Sequence, residues 1–114
     1  MNEELKLILG DNITIGEENI PIAHLRYKGT SKRFVTWTLL DEEPRLSAYD
    51  EPLYSVVAVD IDIFSEGNYL DIIKEVKTIM KNNEWVWTGD SPEMYEDDTG
   101  LYHRTCSFEK ERIL

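Results

Sequence analysis

The strongest strand pattern in the chain is LYSVVAVDIDIF, which runs from Leu53 to Phe64. Its odd positions are nearly all apolar, whereas its even positions are apolar at first and then include Asp60 and Asp62. Successive side chains of a strand point to opposite faces, so one face is expected to be buried throughout and the other over its first half. The pattern therefore predicts a strand inside a sheet rather than at its edge.

The spacing of apolar residues changes to that of a helix in YLDIIKEVKTIMK, about residues 69–81. Apolar side chains recur there at helical intervals, and charged side chains occupy the opposite side. Asn68 is a suitable N-cap, and Asn82 with Asn83 can end the helix. This segment predicts the main helix of the protein.

Weaker patterns predict a short N-terminal helix, several extended segments and three loops. The helix covers 3–9, the extended segments cover 20–27, 33–40, 84–89 and 101–112, and the loops cover 10–19, 41–52 and 90–100. Trp85 and Trp87 are expected on one face of their short strand. The order predicts one α+β domain over residues 1–114, in which a mostly antiparallel or mixed sheet packs against the main helix.

Composition limits the classes of function. The 114 residues carry 23 Asp and Glu against 12 Lys and Arg, a formal net charge of -11. An even surface of that sign repels nucleic acid and anionic membranes. The lone cysteine cannot form an internal disulfide, which fits a reducing cytosol. Neither a secretory signal nor a membrane span is expected from the apolar runs.

The segment YEDDTGLYHRTCSFE brings acids, His103 and Cys106 close together in sequence. His103 and Cys106 are three residues apart on a predicted strand, so their side chains should point to opposite faces and cannot share one metal. We expect Cys106 to be a small buried residue and His103 a surface residue.

The tract Glu96–Gly100 lacks the ligand spacing of a calcium loop and the partner carboxylate of an aspartic protease. It predicts a turn in which Gly100 has a positive φ.

Two other clusters of charge are candidate sites. Asp60 and Asp62 share one strand face about 7 Å apart, where they could hold a divalent cation or form a solvated or lumen-facing stripe. No Lys or His accompanies them in the sequence.

Four cations gather around one turn, namely Arg26, Lys28, Lys32 and Arg33. They form either a solvated hairpin tip or a contact patch for an acidic surface, such as another copy of this chain in a head-to-tail ring. No phosphate-binding glycine loop, Ser-His-Asp signature or CxxC pair occurs, so nothing indicates catalysis or a cofactor.

The order of segments resembles the tail terminator, or tail completion, family of long-tailed bacteriophages, in the form found in phages and prophages of Gram-positive bacteria. The resemblance covers about residues 20–112. It depends on FVTWTLL, the acidic DEEPRLSAYDEP, then VVAVDIDIFSEGNYLDIIKEVKTIM and the late MYEDDTGLYHRTCSFEKER.

The resemblance implies a structural virion protein that is assembled in the host cytoplasm and lies at the head–tail junction. Six copies would form a ring, in solution or only on the tube, that caps the tail tube and stops its polymerisation. Its partners would be the major tail tube protein and the head–tail connector, and DNA would pass through the pore without specific binding. The basic cluster Arg26–Arg33 would then serve subunit or tube contacts, and Asp60 and Asp62 would line the lumen.

Three alternatives stay open. An acidic DNA mimic or other small inhibitory protein would carry carboxylates spaced like phosphates and would not require a cationic turn. A head-closure protein would form a ring at the same junction. An enzyme working through Asp60 and Asp62 would need metal-dependent activity.

Overall fold

The computed structural model describes residues 2–46 and 52–113, in which the chain forms two helices and seven strands. In chain order they are α1 (Asn2–Leu9), β1 (Asn12–Ile15), β2 (Glu18–His24), β3 (Arg33–Leu46), β4 (Pro52–Ser65), α2 (Leu70–Asn82), β5 (Val86–Asp90), β6 (Met94–Glu96) and β7 (Leu101–Ile113).

The strands form one mixed sheet in the order β1-β2-β3-β4-β7-β5, and β6 also pairs with β7. The pair β2–β3 is parallel, and the other pairs are antiparallel. Strand β4 lies between β3 and β7 over nearly its whole length. The predicted α+β class and the central place of the strand over 53–64 are therefore confirmed, although the sheet is larger than the sequence pattern indicated.

The core lies between this sheet and both helices. Odd-numbered side chains of β4 face it, and Val57, Val59, Ile61 and Ile63 are fully buried, as the alternation predicted. From the helices, Leu5, Leu9, Ile72, Ile73, Val76 and Met80 join the same cluster. Each such aliphatic side chain contributes about 1.5–3 kcal/mol on burial, so this layer supplies most of the driving force for folding. The side chain of Leu53 lies outside the described part.

Helix α2 has nearly the predicted bounds, because its local signals agree with its packing. The N-cap is Tyr69 rather than the predicted Asn68, and it makes no side-chain cap hydrogen bond. The Asn68 carboxamide oxygen does accept a hydrogen bond from the Leu70 N–H at 3.0 Å. Asn83 is the C-cap and donates its backbone N–H to the Met80 carbonyl. The short N-terminal helix is also confirmed, and it ends at Gly10, whose φ of +69° suits glycine.

The loop predicted over residues 10–19 is wrong. Residues 12–15 and 18–24 form the β1–β2 hairpin, and Gly16 at a φ of +62° makes its two-residue turn. Ile13 and Ile20 are register partners and both are buried. Packing of these two side chains in the core therefore stabilises the hairpin, although the polar composition of the segment is typical of a loop.

The long loop predicted over residues 41–52 is also wrong at both ends. Strand β3 continues to Leu46 and β4 begins at Pro52, so residues 33–65 form one long hairpin whose residues 47–51 lie outside the description. The register shifts between Leu39 and Asp41. Backbone pairing with a strong β4 extends the sheet through acids and a proline that disfavour strands on their own.

Two predictions near the C-terminal third need smaller corrections. The loop over residues 90–100 contains the short strand β6, which pairs with the start of β7. Trp85 precedes β5 and is buried, whereas Trp87 is 51% exposed, so the two indoles do not share an environment. The final strand is confirmed and has bounds Leu101–Ile113.

Candidate functional site

The sheet face opposite the helices, here called the open face, carries the polar residues of the central strands. The even-numbered side chains of β4, including Asp60 and Asp62, point to it. On β7 the matching side chains are those of His103, Thr105 and Ser107, which lie in register with Phe64, Asp62 and Asp60. This face therefore holds the candidate acidic residues and the histidine together.

Hydrogen bonds link these side chains across the β4–β7 pair. His103 Nε2 lies 2.8 Å from Asp62 Oδ1, and the Thr105 hydroxyl donates to the same oxygen at 2.6 Å. The Ser107 hydroxyl donates to Asp60 Oδ1 at 2.6 Å. Asp60 and Asp62 are thus partly satisfied within the chain, and Asp62 has a histidine partner that sequence proximity did not supply.

The environment of Asp62 favours its charged form. Burial by itself would raise its pKa, but the hydrogen bonds from His103 and Thr105 and the charge of His103 together hold the pKa below its ordinary value. A carboxylate with a lowered folded-state pKa stabilises the fold above its unfolded pKa and loses that contribution as pH falls through the folded pKa. The contribution of Asp62 to the stability of the β4–β7 pair is therefore expected to decrease at acidic pH.

We expect Asp62→Asn to remove this acid sensitivity. The free energy of unfolding of the wild type should exceed that of Asp62→Asn at about pH 5, and the difference should shrink below about pH 4. Urea titrations at several pH values measure both proteins, and Asp41→Asn on the same sheet controls for loss of one acidic charge. A difference that persists unchanged down to pH 2–3 contradicts the assignment.

A ladder of stacked rings continues across the open face from His103. Phe64 stacks on His103 with ring centroids 4.2 Å apart, Phe34 on Phe64 at 4.6 Å, and Tyr27 on Phe34 at 4.4 Å. Tyr27 lies so close to Gly29 that a Cβ there would be 2.1 Å from the Tyr27 hydroxyl oxygen. The ladder therefore joins the basic turn to the polar centre of the sheet.

Cys106 is separate from this site, as strand alternation predicted. It is fully buried on the core face, whereas His103 is on the open face. Burial first, and then the hydrogen bond to Asp90 and the negative charge of that carboxylate, raise the pKa of the Cys106 thiol to about 12. Cys106 is thus an apolar core residue with an unreactive thiol.

The thiol of Cys106 is expected to resist modification in the folded protein. At pH 8 an aromatic disulfide reagent should react at least about 100-fold more slowly with native protein than with urea-unfolded protein, because both burial and protonation protect the sulfur. Absorbance of the released thiolate measures both rates. Similar rates in the two states would contradict this placement, and Cys106→Ser supplies the blank.

The acidic tract before β7 is a turn, as predicted. The Gly100 N–H donates to the Glu96 carbonyl at 2.8 Å, and Gly100 has a φ of +72°. Asp97 and Asp98 are exposed within it. Among the described residues, no group of three or more His, Cys, Asp or Glu side chains could hold a metal ion.

The four predicted cations do not have one environment. Arg26, Lys28 and Lys32 are exposed, and the structure gives them no ion pair in the described residues. Arg33 instead binds both carboxylate oxygens of Asp71, at 2.6 and 2.7 Å, and also pairs with Glu18. Arg33 therefore ties the start of β3 to the start of α2, and the interface role of the other three stays a prediction.

The sequence interpretation missed Thr105, Ser107 and the ring ladder as parts of one site. The signal that could have found them is alternation in 101–112, which puts His103, Thr105 and Ser107 on one face. Matching that face to Asp60 and Asp62 also requires the β4–β7 register, which no local pattern provides.

Comparison with known proteins adds no family. The sequence matches no known family model and no curated protein sequence. No helix in the described residues is long and apolar enough to cross a membrane. The resemblance to tail terminators therefore stays a prediction that has to be supported by the chain's own geometry.

Proposed function

We propose that this protein is a tail terminator, a subunit of the ring that caps the tail tube of a long-tailed bacteriophage. The ring stops tube polymerisation and offers its other side to the head connector. The role requires no catalytic group and no cofactor. It requires surfaces that contact other copies of the chain and the tube.

The observation that supports an assembly role is a three-stranded arm. It consists of residues 40–46 of β3, 52–57 of β4 and 109–113 of β7. The longest dimension of the molecule is 52 Å, about twice the other two of 27 and 23 Å. Strands β3 and β4, each 14 residues and about 46 Å long at the usual rise per residue, account for this long dimension.

The arm is polar on the side that continues the core face. The Ser55 hydroxyl donates to Glu42 at 2.5 Å, and Arg112 lies 3.5 Å from Glu42. Leu40 is 54% exposed. Polar pairs of this kind contribute little to the stability of a single chain, which favours a segment that functions against other subunits.

The outer edge of β3 strengthens this interpretation. Strand β2 pairs with β3 through residues 35–37 only, so within the described chain β2 does not cover the rest of this edge. A free edge presents backbone N–H and C=O groups that another chain can pair with. Asp41 and Pro44 on this edge restrict pairing to specific partners, as charges and prolines do on natural edges.

The net charge of -11 is compatible with the pore that the ring would form. Negative walls repel the DNA phosphates and let the duplex pass without binding. In this proposal Asp60 and Asp62 line the lumen, and the Ser107 and Thr105 hydroxyls that donate to them carry no charge of their own.

The test is capping of growing tail tubes. Purified protein is added to polymerising tail tube protein from the same phage genome, and tube length and the tips are measured by electron microscopy. We expect short tubes with a ring at one end and a mass of six chains in that ring. Tubes that elongate unchanged, with no copy at their tips, would overturn the proposal.

Binding and ring formation distinguish a tail terminator from a head-closure protein and from a DNA mimic. A head-closure protein would bind the connector and leave tube growth unaffected. A DNA mimic would bind a DNA-binding enzyme in competition with DNA and would not form rings. Bovine serum albumin at equal concentration controls for nonspecific effects of an acidic protein on polymerisation.

A further inference from the structure

We propose that the loop at Leu25–Lys32 of one copy docks into an acidic groove between β4, β7 and β5 of the next copy. Leu25 enters the groove, and Arg26, Lys28 and Lys32 face the carboxylates on its rim. This contact would join neighbouring subunits of the ring. The inference rests on the proposed capping function, because that function requires the subunits to form a closed ring.

The donor surface is an exposed apolar residue held in a strained turn. Leu25 is 60% exposed and has a φ of +67°. The Arg26 N–H donates to the His24 carbonyl at 2.7 Å, and the Leu25 N–H donates to the Trp37 carbonyl at 2.9 Å. A three-residue turn with a positive φ at a leucine is rare and strained, and such strain is common at contact sites.

Three cations follow this leucine in the same loop. Arg26, Lys28 and Lys32 are exposed, and none of them has an ion pair in the described part of the chain. Their paired neighbour Arg33 anchors the end of the loop to α2. The loop thus carries unpaired positive charge on a chain whose net charge is strongly negative.

The acceptor surface is a groove of about 450 Å³ on the arm. Val56 and Val86 supply its apolar lining, and Val86 is 64% exposed in the single chain. This volume is ample for one leucine side chain. An exposed valine beside a concave apolar surface favours occupation by an apolar group of a partner.

The rim of the groove is acidic. Glu84, Glu109 and Glu111 line it, and none of these carboxylates has an ion pair among the described residues. Lys110 also lines the groove, but its ammonium is directed to Glu4 at 2.6 Å and to the Asn83 carbonyl at 3.2 Å. Three unpaired carboxylates thus match the three unpaired cations of the loop, which favours one orientation of docking.

The two surfaces lie towards opposite ends of the long strands. The loop lines a depression with Asp98, Thr99 and Leu101 at the start of β7, whereas the groove lies near Val56 and Glu109, towards the other end of β4 and β7. A contact between them in successive copies is head-to-tail, so it generates a closed ring if the rotation between copies fits and a filament if it does not. The occupant that fits the groove by charge and shape is therefore a second copy.

The test is a charge exchange between two variants. Arg26→Glu with Lys28→Glu makes the donor acidic, and Glu109→Lys with Glu111→Lys makes the acceptor basic. Each variant alone should self-associate at least about 100-fold more weakly than wild type, because both of its facing surfaces then carry one sign. An equimolar mixture should regain association, since every contact between unlike variants again joins opposite charges.

Leu25→Asn is the matched variant for the apolar contact. Asparagine tolerates a positive φ better than leucine, so folding stability should be unchanged or higher. Association should nevertheless weaken at least about 10-fold, because the groove loses its apolar occupant. Stability from urea titration and mass from sedimentation velocity separate the two effects, and circular dichroism verifies that all variants are folded.

The outcomes distinguish this contact from the proposed function. Assembly is measured in solution and at tube tips. If charge variants assemble and cap tubes like wild type, the contact is wrong and the capping function stands. If the mixture regains self-association but no protein caps tubes, the contact stands and the function is wrong. A wild-type chain that stays monomeric in solution and is absent from tube tips overturns both.

Discussion

Replacing Trp37 by alanine is expected to lower the free energy of unfolding by about 3–5 kcal/mol. Trp37 is 1% exposed and lies on β3 in register with His24 of β2 and Ile61 of β4. Its ring stacks on His24 with centroids 4.0 Å apart. Paired strands on both sides keep the backbone from closing around the lost indole, so a cavity remains.

Urea unfolding followed by far-ultraviolet circular dichroism measures this loss, and Trp87→Ala is the matched control. Trp87 is 51% exposed, although its indole N–H donates to Asp90 at 2.8 Å and Lys77 lies 4.4 Å from its ring centre. We expect that variant to lose about 1 kcal/mol. Trp37→Phe should fall between the two and provides a folded comparison if Trp37→Ala is largely unfolded. Equal losses at both tryptophans would contradict the assigned core.

Replacing Arg33 by alanine is expected to lower the free energy of unfolding by about 1.5–3 kcal/mol, between the values for exposed and buried ion pairs. Its side chain is 19% exposed and that of Asp71 is 37% exposed. The guanidinium binds both oxygens of Asp71 and pairs with Glu18, so it connects α2, β2 and β3. Its loss leaves the Asp71 carboxylate without its cation.

Arg26→Ala is the control for this prediction, because Arg26 belongs to the same basic segment and is exposed. We expect that variant to change stability by less than about 0.5 kcal/mol. In association assays the order should reverse, with Arg26→Ala weakening assembly. Equal stability of Arg33→Ala and Arg26→Ala would contradict a structural role for the ion pairs of Arg33.

The elements with strong internal periodicity were predicted well. The strand over 53–64 and the helix over 69–81 both have apolar faces that match their burial in the fold. The opposite orientations of His103 and Cys106 followed from alternation alone. Such features depend on neighbours along the chain, which the sequence contains directly.

The two loops that proved to be strands show where local reasoning fails. The segment 41–46 contains three acids and Pro44. The segment 12–15 is only four residues long and lies just after Gly10. Both segments are strands because of partners, β4 in one case and β2 in the other. Strand propensity depends mainly on such cross-strand context, so composition underestimated the sheet.

The candidate sites were predicted residue by residue but not as groups. Asp62 and His103 are 41 positions apart and meet through the β4–β7 register. The four cations of the basic segment also differ in environment, because Arg33 forms an ion pair with Asp71 whereas Arg26 is exposed. The groove with Val86 and Glu109 has no sequence signature at all.

By itself the sequence determined the class of the fold, the central strand, the main helix, the acidic character and the separation of Cys106 from His103. These properties arise from periodicity and composition, which act between near neighbours or over the whole surface. The tertiary structure alone decided the extent of the sheet, the partner of Asp62, the ion pairs of Arg33 and the formation of the groove between Val56 and Val86. Each of these depends on which strands pair and in which register, and that choice is made by packing between segments distant in the chain.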